Sequence, residues 1–252
     1  MSSGRMHLPG TVHLLTNRCF QQQFLMLPNK RINQIIGYWF AKAMNKFGEG
    51  LEIYAFIFLS NHFHVLIRNN GGKISRFMAY FQGNIAKNIN KELNRTGAFW
   101  QGHYDDQIII GQDILLEKYT YVACNAVKSG LVDKAAQWIG WHSLNNAYSG
   151  APFRFTGLNR NKYSKACRNR KKKPPIKDYM ETYEFKLTTP PGLTGTENSD
   201  IAAELKALIK KQEKFHREMR ENRPPLGIEA IKRQKPTDRP ASPASSPKKR
   251  FA

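Results

Sequence analysis

At 252 residues with an apolar fraction of 40%, the chain is long enough for one good-sized domain with extensions, or for two small ones. Forty Lys and Arg face 19 Asp and Glu, a net charge of +21; residues 1–150 carry 15 basic and 8 acidic side chains, and residues 151–252 carry 25 and 11. That excess points to a polyanionic partner, nucleic acid ahead of an acidic membrane surface, while the lack of an apolar signal core, of a membrane-length run and of paired cysteine spacing argues against secretion, membrane insertion and a cysteine-held metal.

The first element in chain order is a short strand in "LPGTVHLLTNRCF", opened by a Pro-Gly break. A helix follows in "PNKRINQIIGYWFAKAMNKFG", where Ile32, Ile35, Ile36, Trp39, Phe40, Ala43 and Phe47 recur at helical spacing and Gly48 is the stop. "LEIYAFIFLS" and "HFHVLIRN" are two strands joined by a tight turn. The next helix carries the stripe Ile74, Phe77, Met78, Phe81, Ile85, Ile89 and Leu93. "DQIIIG" is a short strand, and "DILLEKYTYVACNAVKSG" a helix with Asp113 as its expected N-cap and Gly130 past its end. The order β-α-β-β-α-β, then α, predicts an α+β split βαβ (ferredoxin-like) sandwich: an antiparallel sheet with helices on one face.

Past residue 150 the composition changes. Residues 151–195 read as a basic, proline-punctuated linker, 196–225 as a lone amphipathic helix, and 226–252 as a basic tail with too little apolar content to order itself. The expected domain is therefore 1–150.

Two features of that domain carry chemistry. In "FLSNHFHVLIRNN" the strand alternation puts His62 and His64 on one face, with Cα atoms about 6.5 Å apart, and turns Phe63 into the core. Such a pair can converge on one ion, but it also suits a solvated sheet face that holds nothing. In the third helix the apolar stripe runs through Leu115, Tyr119, Val122 and Ala126. Tyr121 lies off it, in a row with Lys118, Asn125 and Lys128, and Tyr121 and Asn125 are neighbours at i and i+4. That row is either a solvated polar face or a phenol, an amide and two cations gathered for a purpose.

Taken together the two segments resemble a known family. "NHFHVLI" is similar to the His-hydrophobic-His motif of single-strand nucleases, and "YVACNAVKSGLV" to the catalytic-helix segment of REP-associated tyrosine transposases. "GAFWQGHYDD" and "HLPGTVHLLTNR" resemble two further stretches of that family, so the likeness runs in order over roughly residues 5–150. The chain departs from the usual pattern at Leu59-Ser60-Asn61, at Ala126 and at His103, none of which removes a catalytic atom.

The resemblance implies that His62, His64 and Asn125 hold a divalent metal, Mg²⁺ or Mn²⁺, and that Tyr121 is the nucleophile of a single-stranded DNA endonuclease and strand transferase working through a 5′-phosphotyrosine. Lys118, Lys128, Trp100, Arg168, Arg170, Lys171, Lys172 and Lys173 are candidate DNA contacts, with core packing the rival role for Trp100. The expected partner is single-stranded or hairpin DNA, bound by a monomer or homodimer in the cytoplasm at the nucleoid. The alternative is a non-catalytic regulator that binds DNA or RNA hairpins on the same fold.

Overall fold

The computed structural model describes residues 7–168, 173–195 and 197–240. Its first half follows the expected order: β1 (Thr11–Arg18), α1 (Lys30–Phe47), β2 (Leu51–Phe58), β3 (His62–Asn69), α2 (Ile74–Glu92), β4 (Asp105–Ile109) and α3 (Gln112–Ala123). The four strands form an antiparallel sheet in the order β2-β3-β1-β4. No helix among the described residues is long and apolar enough to cross a membrane.

Both faces of this sheet are covered, and strand alternation decides which residue goes where. One layer takes Leu15, Phe56, Phe58, Phe63, Val65 and Ile67 against the stripes of α1 and α2, with Phe40, Phe77 and Phe81 fully buried between them. The other takes Leu14, Ala55, Ile57 and Leu66 against Leu115, Tyr119 and Val122 of α3. Phe63 stacks on Phe58 with ring centroids 5.2 Å apart, so the residue between the two histidines anchors their strand. Removing such a ring costs about 3–5 kcal/mol.

Helix ends differ in detail from expectation. Asn29 caps α1 by accepting from the Ile32 amide at 2.9 Å. At α3 the N-cap is Gly111, and Asp113 sits instead in the first turn, where a carboxylate still complements the helix dipole. The helix expected through residue 128 is interrupted at Cys124 (φ −96°, ψ 10°), after which α4 (Asn125–Lys128) begins.

The second half corrects the sequence reading three times. The stretch 151–195, expected to be a linker, contains α6 (Arg160–Cys167) and a hairpin of β5 (Phe153–Leu158) and β6 (Met180–Phe185), reached through the short α5 (Leu144–Ser149). Phe153 and Phe185 stack at 5.1 Å and join the α1 layer, and Phe155 lies directly on the α1 backbone where Gly37 has no Cβ to obstruct it. The amphipathic helix is present as α7 (Asn198–Met219), but it is not alone: Leu205 and Ile209 complete the layer around α3 and α4. The expected disordered tail is ordered as far as residue 240. It forms α8 (Ile228–Arg233), anchored by Ile231, and then a strap in which the Phe24 amide donates to the Asp238 carbonyl at 3.0 Å. Residues 241–252 lie outside the described residues.

Candidate active site

The two histidines emerge on the α3 face because β3 alternates around Phe63. Antiparallel pairing sets Arg18 opposite His62 and Thr16 opposite His64. Those pairings surround the rings with specific partners. The His62 Nδ1 lies 2.7 Å from Asn61 Oδ1, while the Asn61 side-chain amide donates to the Gln22 carbonyl at 3.3 Å. That second bond fixes which end of Asn61 faces the ring, so Nδ1 carries the proton and Nε2 is left as a lone pair. His64 Nδ1 lies 2.7 Å from Thr16 Oγ1, a hydroxyl able to accept the Nδ1 proton and leave Nε2 available in the same way.

Burial and nearby positive charge keep both rings neutral. Desolvation, with Arg18 adding to it and Asn125 opposing it, lowers the His62 pKa to about 4. Desolvation, then His62, Arg18 and Lys128, lowers that of His64 to about 3. A neutral imidazole is the form that binds a metal.

Across the layer, α3 brings Tyr121 to within 5.2 Å of His64, centroid to centroid and nearly perpendicular. Lys128 Nζ lies 4.4 Å from the centre of the Tyr121 ring and Lys118 Nζ 5.9 Å. Lys118 also approaches Glu117 at 3.6 Å. Asn125 is buried at the start of α4 with its side chain against His62, and among the described residues its Oδ1 has no partner in full hydrogen-bond geometry. A buried carbonyl-type oxygen left without a full hydrogen bond costs on the order of 1–3 kcal/mol, which a cation beside it would remove. Two neutral imidazoles with their outer nitrogens engaged, plus this oxygen, are a fitting donor set for a divalent ion.

A cleft of about 560 Å³ opens beside His62, with Arg18, Phe24, Leu59, Leu131 and Arg239 among its walls. Its far wall comes from the C-terminal strap, so the second half of the chain helps to shape the entrance.

The remaining sequence candidates are placed elsewhere. Trp100 packs on Phe63 and Phe99, in the layer opposite the histidine rings, and its indole N–H donates to the Gln82 carbonyl at 3.1 Å. Arg168 and Lys173 are exposed, and Arg170, Lys171 and Lys172 lie outside the described residues. Sequence reading missed Arg18, Thr16 and Asn61. Asn61 adjoins the motif and could have been weighed, whereas Thr16 and Arg18 become site residues only through the β1–β3 register.

The sheet thus places two imidazoles on one face, one of them against the Tyr121 ring, with Arg18, Lys118 and Lys128 nearby. Residues 14–122 match the family model described as "Transposase IS200 like". No curated protein matches the chain. Among solved structures it is similar to a REP-associated tyrosine transposase bound to a REP hairpin (16% identity, TM-score 0.49, covering 59% of this chain and 86% of that one). It is also similar to a transposase candidate from Deinococcus radiodurans R1 (14% identity, TM-score 0.32, 48% and 95% covered).

Two predictions follow from the immediate surroundings. Thr16→Val and Asn61→Ala each free a ring that is now oriented, and should weaken metal binding about 10–100-fold with the fold retained; calorimetric titration of Mn²⁺ reads this, and unchanged affinity in both variants would contradict the assigned orientation. The second concerns acid. His62, His64 and the buried His142 are held to about 4, 3 and 4, against an unfolded value near 6.5. Below pH 6.5 the unfolded chain therefore binds protons that the native one excludes, so the stability of chelator-treated protein should fall between pH 6.5 and 4, by at most about 1.4 kcal/mol per pH unit for each histidine. Melting temperatures across that range should drop steeply in wild type and less steeply in His62→Asn/His64→Asn.

Proposed function

We propose that the chain is a metal-dependent tyrosine transposase that cleaves and rejoins single-stranded DNA next to a hairpin. The observation that carries this reading is Tyr121 lying against His64, with Asn125 beside the neighbouring His62. Tyr121 Oη attacks the scissile phosphorus; the new O–P bond forms as the bond to the 3′ oxygen breaks. The phenolic proton passes to solvent, the departing 3′ oxygen takes up a proton, and the products are a 5′-phosphotyrosine and a 3′-OH. No water is consumed, so a second 3′-OH can reverse the step and join strands.

A phenol with a pKa near 10 is a poor nucleophile at neutral pH, and the deficit is roughly 4 kcal/mol. Bound by His62, His64 and Asn125, Mg²⁺ or Mn²⁺ would supply charge neutralisation at a non-bridging phosphate oxygen. Lys128 and Arg18, close to the phenol and the imidazoles respectively, hold the same phosphate and its neighbour. The net charge of +21 supports binding along the DNA backbone, and the affinity should fall steeply with salt.

The test is a pool of hairpin oligonucleotides with randomised single-stranded flanks, incubated with full-length protein and Mn²⁺ and resolved on a denaturing gel. A protein-linked, chelator-sensitive band is expected. Tight binding of the hairpins with neither adduct nor cleavage would replace this reading by the non-catalytic regulator.

A further inference from the structure

A second histidine cluster lies on the other face of the sheet. His13 of β1 is fully buried, and its Nδ1 is 2.7 Å from Asp106 Oδ1 of β4. His7, from the segment preceding β1, places Nε2 2.7 Å from the other carboxylate oxygen, Oδ2. All three ligand atoms lie within 4.8 Å of one another, and the side chains are 9%, 0% and 10% exposed for His7, His13 and Asp106. The proposed DNA-cleaving chemistry uses none of them.

The hydrogen-bond inventory around His13 is one cation short. Thr11 donates its hydroxyl proton to the Leu8 carbonyl, so at its 2.7 Å contact with His13 Nε2 it must accept. Nε2 therefore carries the ring's N–H. Nδ1 nonetheless faces a carboxylate oxygen, which only accepts, and a neutral imidazole has a single N–H. A metal ion between Nδ1 and Asp106 would satisfy both atoms.

We infer that His7, His13 and Asp106 form a binding site for a divalent transition-metal ion, with Zn²⁺ the best match to two imidazoles and one carboxylate. The outer ring nitrogens already have the partners such ligands require. His13 Nε2 donates to Thr11, and His7 Nδ1 lies 3.4 Å from Ser75 Oγ at the start of α2. Tetrahedral bonds of about 2.0–2.1 Å separate ligand atoms by roughly 3.3 Å, so seating the ion requires each 2.7 Å contact to open by about half an ångström. His7 lies outside the sheet in a segment held through its backbone by the Asn69 side chain, which donates to the His7 and Leu8 carbonyls at 2.9 and 3.2 Å and leaves the imidazole free to adjust. The ion would fasten that segment to β1 and the edge strand β4. It is a structural clamp on the face opposite Tyr121.

Full-length His62→Asn/His64→Asn protein, stripped with chelator, isolates this site. Titrated with Zn²⁺ by calorimetry, it should bind one equivalent and melt at a higher temperature. Adding His7→Ala, which removes a ligand at the sheet margin and leaves the core intact, should weaken binding at least tenfold, and Asp106→Asn should do the same. No zinc uptake by the double variant, or uptake indifferent to both added substitutions, would overturn the site and leave a proton in place of the ion. The outcome is independent of whether the chain cleaves DNA.

Discussion

Tyr121→Phe should abolish the covalent protein–DNA adduct and lower strand cleavage by more than about 10³-fold while hairpin binding is retained. The substitution deletes one oxygen from a partly buried ring that packs through its face and edge on His64 and Lys128. Nothing in the core loses a contact, and among the described residues no hydrogen bond to the Tyr121 hydroxyl is found. A variant that melts with wild type, binds DNA with wild type and forms no adduct isolates the nucleophile from the scaffold. Equal adduct in both proteins would move the nucleophile elsewhere, and the buried Tyr119, with its pKa pushed up by desolvation, is no substitute.

His64→Ala should be the next most damaging change, lowering cleavage by on the order of 10²–10³-fold through loss of the ion. His64 is the more buried of the two imidazoles, at 6% exposure, and it alone touches Tyr121. It is thus the point where β3 meets α3. Raising Mn²⁺ should restore part of the activity if the loss is one of affinity, whereas Tyr121→Phe should not respond to metal at all. Measuring both rates against Mn²⁺ concentration separates the two roles, and a His64→Ala enzyme with wild-type rate at low Mn²⁺ would contradict this one.

How far these residues could be found without coordinates depends on the range of the interaction that defines them. The central elements follow from local periodicity: two-residue alternation around Phe63 turns both histidines to one face, and the stripe from Leu115 to Ala126 leaves Tyr121 off the core side of its helix. What periodicity cannot supply is register. Thr16 and Arg18 become neighbours of the histidines through the pairing of β1 with β3, and His13 meets Asp106 across 93 positions. The β5–β6 hairpin was hidden for another reason. Its inward residues, Phe153, Phe155, Tyr183 and Phe185, are interleaved with charged ones in a stretch whose average composition resembles a linker, and the complementary Gly37 lies far away on α1. The segment around α8 is held largely by backbone hydrogen bonds, from Leu226 and Gly227 before it to the 130–131 turn and from Phe24 to Asp238 after it, which leave no mark in side-chain pattern.

These corrections alter the view of the second half of the chain. A loose tail would leave its basic residues free to move, whereas the ordered segment after α7 sets Leu226 and Arg239 as walls of the cleft beside His62. Arg239 thus has a fixed place beside His62.

The central claim is that Tyr121 forms the covalent bond to DNA, and the most direct measurement is to digest the purified adduct with protease and nuclease and locate the modified peptide by mass spectrometry. A nucleotide 5′-phosphate on the peptide containing Tyr121, absent when chelator is present, is the predicted result. A modification on any other residue, or cleaved DNA with no modified peptide, would contradict it.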